Sequence, residues 1–124
     1  MPRTEVLLFC ERDGTCPLAA WLDGLAPPAQ AKCVARLKRL EDMGHELRRP
    51  EADLLRDGSY ELRTSHGKLN LRVLYFFHGR NVVVVAHGLA KQSAGVPARE
   101  IQLARARKAA FETDPKAHTF KSAR

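Results

Sequence analysis

The sequence predicts an α+β fold: one N-terminal strand, two helices packed on an antiparallel sheet, and a C-terminal helix. Three observations carry this. Two Pro-opened segments with helical spacing precede residue 44. Three strand-like runs then follow in meander order, joined by the hairpin turns "SHGK" and "HGRN". Pro97 opens a last helix. Helices grouped ahead of a run of strands are the α+β signature.

Val6–Glu11 is a short apolar run and reads as a strand. After Asp13–Thr15, Thr15 is placed to cap a short helix with Pro17 in its first turn, Trp21 and Leu22 facing the core, and Gly24 at its end. A second helix runs from Pro28 to Met43. Cys33, Leu37 and Leu40, with Val34 beside them, form its apolar face, and Lys32, Arg36, Lys38, Arg39 and Glu41 take the others. Gly44 stops it. A connector holds a short strand near Asp53–Arg56, followed by Tyr60–Ser65, Leu69–Phe77 and Asn81–Leu89. In the last helix Glu100 lies in the first turn, with Arg105, Arg107 and Lys108 further on. Residues 1–113 read as a single domain and 114–124 as a polar, frayed tail.

Apolar runs such as Val82–Ala86 fall far short of the ~20 residues of a spanning helix. The opening residues lack a secretory pattern, so the expected compartment is the cytoplasm. Cys10, Cys16 and Cys33 are odd in number and form no C-x-x-C pair; the five histidines form no H-x-x-x-H pair. Free thiols and no metal or other cofactor are expected. The net charge is +7, and all of the excess lies in the second half: residues 1–55 carry eight basic and nine acidic side chains, residues 56–96 six and two, and residues 97–124 seven and three. This asymmetry suggests a face for a polyanion, nucleic acid first.

Alternation sorts the strand side chains. Tyr60, Leu62 and Thr64 share a face with the apolar set of Leu71, Val73, Tyr75 and Phe77, the natural core face. Arg63 and Arg72 project from the opposite face, close to one another once the hairpin closes. Such a sheet is free to be polar on the face its helices leave uncovered. Two like charges there repel. Either an anion arrives between them, to which the planar guanidinium is suited, or each pairs with an acid such as Glu61. Lys91 lies where the last strand leaves the sheet and is placed to add a third cation at the rim.

The ordered set of these pieces resembles the phage Gp49-like branch of the RelE/HigB toxin superfamily. The matching stretches are Asp57–Arg63 (D-G-x-x-E-L-R), Leu71–Phe76, His87–Ser93 and Pro97–Ala104, within about residues 53–112. The sequence departs from the usual pattern at Leu71 and Leu89, where aromatics are usual, and at Gln92, which replaces a lysine. The resemblance implies a RelE-like fold and a toxin of a type II toxin–antitoxin pair that cuts mRNA on the translating ribosome. It implies an antitoxin partner, usually a DNA-binding helix-turn-helix protein, and no membrane. The family's functional residues are basic side chains on the sheet face, matched here by Arg63, Arg72 and Lys91. Lys68, Arg80 and Arg99 are expected as flanking RNA contacts.

The implied reaction is attack of a ribose 2′-hydroxyl on the adjacent phosphate. Arg63 and Arg72 would hold the non-bridging oxygens, and Lys91 would position the phosphate or act as acid. Arginine is a poor base, its pKa exceeding ~12. His87 and His66 have suitable intrinsic pKa values, though a structural role for His87 weighs equally. Tyr75 should face the core. Two other readings stay open: a noncatalytic RNA-binding module, and an inactivated toxin acting through its antitoxin.

Overall fold

A computed structural model describes residues 4–93 and 95–120 of the chain. The elements are β1 (Glu5–Leu8), α1 (Pro17–Asp23), α2 (Pro27–Met43), β2 (Ala52–Arg56), β3 (Ser59–His66), β4 (Leu69–Phe77), β5 (Val82–Lys91) and α3 (Ala98–Thr113), with 3₁₀ turns at Gly44–Glu46 and Pro115–His118. The strands form one sheet in the order β1-β5-β4-β3-β2. The meander from β2 to β5 is antiparallel, as expected, while β1 joins the far edge parallel to β5, making the sheet mixed.

The β2–β3 turn is built on Asp57 and Gly58, both at positive φ (54° and 79°). This is the conformation that an Asp-Gly pair supplies to a tight hairpin. Alternation then fixes the core. Leu62, Val73, Tyr75, Val83 and Val85 face α1 and α2 and bury Leu18 and Leu40. Tyr75 is 1% exposed, and burial pushes its phenol up. All three thiols are buried, and burial raises the Cys33 thiol to about 11.

The second face differs from the expected open surface. Helix α3 lies on it, and Ala104 and Phe111 bury Leu74, Phe76, Val84 and Ala86 together with Phe9. Only the end of that face nearest the β3–β4 turn stays polar. A register shift between β4 and β5 moves the pairing from Leu74↔His87 to Tyr75↔Val85. The extra residue, Ala86, turns it and His87 both toward α3.

Local expectations differ in smaller ways. β1 ends at Leu8, although the Phe9 N–H still donates to the Val85 carbonyl while Phe9 pairs on its outer side with Thr119. Helix α1 is preceded by Cys16 with no side-chain cap, since Asp13, not Thr15, makes the local turn by accepting from the Thr15 N–H. Val34 is 51% exposed. The expected frayed tail is packed as far as it is described. His118 is buried, donates Nδ1–H to the Cys10 carbonyl at 2.8 Å and stacks on Phe9. Residues 121–124 lie outside the described residues. Among the described residues no helix is long and apolar enough to cross a membrane.

Candidate nucleic-acid interface

The β3–β4 register sets Arg63 directly opposite Arg72. Both lie on the α3 side of the sheet, beyond the end of that helix's apolar contact. Glu61, on the same face of β3, lies between them. Its Oε1 is 3.3 Å from Arg72 Nε and its Oε2 3.8 Å from Arg63 Nε. The pairing alternative is therefore the one observed in the free chain. The contact is ionic rather than a directed hydrogen bond: Glu61 Oε1 and Arg72 Nε are both buried, and neither has a hydrogen-bonding partner.

Burial differs across the pair. The Arg72 side chain is 5% exposed and the Arg63 side chain 30%. Arg72 Nη1 donates to the Thr64 and Leu71 carbonyls at 3.2 and 3.0 Å, which pins the guanidinium. Burial lowers the Arg72 pKa, Glu61 raises it and Arg63 lowers it further, yet an arginine stays charged throughout. Burial likewise raises the Glu61 carboxyl, against the pull of Arg72 and Arg63.

Beyond Ala52 the strand β2 no longer covers β3. The exposed edge is closed by α2 instead: Arg36 Nε donates to the Arg63 carbonyl at 2.9 Å and Lys32 Nζ to the Ser65 carbonyl at 3.0 Å. The result is a polar cleft of about 310 Å³ lined by Arg36, Pro50, Arg63, Thr64, Ser65, Asn70 and Arg72. Arg36 is a cation that sequence reasoning places only on a polar face of the second helix, with no role in the site. Its i, i+4 spacing from Lys32 is the signal that both reach one strand edge.

A larger cavity, about 570 Å³, lies over β2 between His45, Leu47, Arg48, Arg49, Ala52, Asp53, Leu54 and Tyr60. Its arginines are already engaged, Arg49 by Asp53 and Arg48 by the His45 and Leu47 carbonyls. The smaller cleft has the better chemistry for a phosphate because two opposed guanidinium groups share one acid.

The other expected site residues divide. Lys91 pairs in register with Asn70 at the same end of the sheet, but its ammonium donates to the Gly95 carbonyl and does not line the cleft. Asn70 holds the same loop through the Gln92 and Ser93 carbonyls. Lys68 is exposed in the turn between β3 and β4. Arg99 opens α3, its side chain 81% exposed and 3.6 Å from Glu100. Arg80 does not converge on the site. It sits in the β4–β5 turn at the other end of the sheet, beside Thr4, Asp42 and Glu46. His66 ends β3, opposite Leu69.

His87 takes the structural role. It is 5% exposed beneath α3, its Nε2 is 3.1 Å from Glu100 Oε1, and Nδ1 has no partner. Burial lowers its pKa first, Arg107 adds to this, and Glu100 opposes both. The unfolded chain takes up a proton near pH ~6.5 that the folded chain resists. The stability this contributes is complete above that pH and is lost as pH falls through the folded value. His87→Gln is expected to flatten the melting temperature between pH 7 and 5. An unchanged acid slope would assign that titration to another group.

Among the described residues no cluster of three or more His, Cys, Asp or Glu side chains is placed to hold a metal ion. No curated protein matches the chain. The profile of the family described as "Phage derived protein Gp49-like (DUF891)" matches residues 20–109, from the middle of α1 into α3, so that α2, the whole meander and the arginine cleft lie inside it. The chain thus belongs to the Gp49-like phage-derived protein family, within the RelE/HigB-like toxin superfamily.

Proposed function

We propose that the protein is the toxin of a type II toxin–antitoxin pair and a metal-independent endoribonuclease that cuts mRNA on the translating ribosome. The observation that carries this is the opposed Arg63–Arg72 pair lining a polar cleft. The 2′-oxygen of a ribose attacks the adjacent phosphorus and the bond to the 5′-oxygen breaks, leaving a 2′,3′-cyclic phosphate and a 5′-hydroxyl. Negative charge grows on the non-bridging oxygens, where preorganised guanidinium groups are worth about 10²–10³ in rate per group. Lys91 reaches the leaving oxygen only after releasing the Gly95 carbonyl. No histidine or carboxylate is among the residues lining the cleft, so proton removal from the 2′-hydroxyl falls to water or to the ribosome. The partners in this reading are the ribosome, mRNA and a cognate antitoxin, with action in the cytoplasm.

The lack of a base in the cleft favours one second reading, a noncatalytic RNA-binding module. Induced expression with primer extension on mRNA separates the two. Arg63→Gln is the cleaner probe because the Arg63 side chain is partly exposed and that of Arg72 is buried. Translation-dependent cuts by the wild type, reduced about 10²-fold in Arg63→Gln, support the nuclease. Ribosome association without cuts supports the binding module. Cuts that persist in Arg63→Gln would place the chemistry elsewhere.

A further inference from the structure

We propose that Glu61 is the internal counter-ion of the RNA-phosphate site: its carboxylate offsets one of the two charges of the Arg63–Arg72 pair in the free protein, and an incoming phosphodiester displaces it. The inference rests on the phosphate site proposed above and adds what sets that site's affinity.

The geometry points to a replaceable contact. Glu61 approaches both arginines at Nε, at 3.3 Å for Arg72 and 3.8 Å for Arg63. A carboxylate settled in a permanent structural pair would take two parallel N–H bonds from one guanidinium. Arg39 on Glu51 makes such a two-point contact in this same chain. Glu61 makes none, and its Oε1 is buried without a hydrogen bond. The ion pair therefore suppresses repulsion between two cations without satisfying the carboxylate.

Electrostatics supplies the direction. A phosphodiester carries the same single negative charge as the carboxylate and offers two non-bridging oxygens to two guanidiniums. With Glu61 in place, the pair and its acid present a net charge of one positive unit. Without it they present two, so a phosphodiester meets a stronger attraction once the carboxylate is out of the way. Glu61 thus weakens binding of free polyanions and leaves the site to a phosphate held in place by other contacts, as on a ribosome.

The test measures binding alone, on the isolated full chain, with a short 2′-O-methyl RNA that no 2′-hydroxyl attack can cleave. Glu61→Gln is expected to bind it about tenfold tighter than wild type, as one less opposing charge at close range requires. Glu61→Asp, which keeps the charge, is expected to stay within about twofold of wild type. Equal or weaker binding by a folded Glu61→Gln overturns the proposal, as does equal tightening by both variants, which would assign the effect to shape.

A measurement on the wild type needs no variant to fold. The carboxyl ¹³C resonance of Glu61 should move toward the position of a solvated carboxylate as the RNA saturates the site, together with the Nε resonances of Arg63 and Arg72. Arginine signals that move while Glu61 stays fixed overturn displacement and keep the phosphate site. Arginine signals that do not move overturn the site itself. Failure of cleavage on ribosomes, by contrast, would remove the nuclease reading and leave these binding results standing.

Discussion

Arg72→Ala is expected to abolish RNA cleavage and also to destabilise the fold by about 3–5 kcal/mol, the cost of stranding one partner of a buried ion pair. The second effect arises because Glu61 is 7% exposed and would keep its charge with only the partly exposed Arg63 nearby. For a chain of this size the loss corresponds to roughly 10–20 °C in melting temperature. It should shrink toward acid pH, because burial already raises the Glu61 carboxyl and a stranded carboxylate protonates more readily still. Loss of toxicity in Arg72→Ala is therefore ambiguous by itself. The double variant Glu61→Leu/Arg72→Leu resolves it: replacing a buried pair by apolar groups of similar volume is often neutral or better. Urea denaturation should show the double variant near wild-type stability, with cleavage still absent. A wild-type midpoint for Arg72→Ala would mean that the Glu61–Arg72 contact contributes no net stability.

The hairpin carrying this pair was legible because alternation leaves little freedom: Leu62 and Val73 must be buried, so Arg63 and Arg72 must share the other face. Their exact opposition follows from the Gly67 turn, which pairs His66 with Leu69. What alternation could not say was how much of that second face is open. Helix α3 contributes only Ile101, Ala104 and Phe111 as buried residues. So sparse a stripe, spaced among arginines, does not announce that the helix covers half a sheet. The Ala86 bulge was invisible for a related reason. An extra residue in a run of valines and alanine breaks no pattern, yet it turns His87 from the strand's regular face to the underside of α3.

Charge was misleading in a specific way. The helical pattern places the basic residues of α2 only on its polar faces, whereas Arg36 and Lys32 close the sheet edge that the short β2 leaves bare. An uncovered edge is a hazard for aggregation, and cations laid across it are one natural remedy. Composition also misleads over residues 114–120. The polar residues there conceal His118, whose ring covers Phe9 and whose Nδ1–H satisfies the Cys10 carbonyl. A single imidazole with an apolar face and a polar edge docks a segment that composition alone marks as free.

The largest stability effect outside the cleft is expected at Gly88. This glycine pairs with Val73 in the middle of the sheet, on the face that receives α1. A Cβ added there would overlap the six-membered ring of Trp21, meeting Cε3, Cζ3 and Cδ2 at once. The ring's retreat is restricted, because although partly exposed it packs against both the main core and the smaller cluster of Ala29, Cys33 and Leu71. Gly88→Ala must therefore displace α1 from β5 or force Trp21 off its rotamer, at a cost of about 3 kcal/mol, the upper end for overpacking. The chain has one tryptophan, so its fluorescence reports the displacement directly. The expected result is a red-shifted emission together with a lower urea midpoint. Trp21→Leu in the same background should restore part of that loss by removing the ring that the methyl strikes. A Gly88→Ala chain with wild-type emission and midpoint would mean that α1 rides loosely on the sheet and that the glycine is not required for its docking.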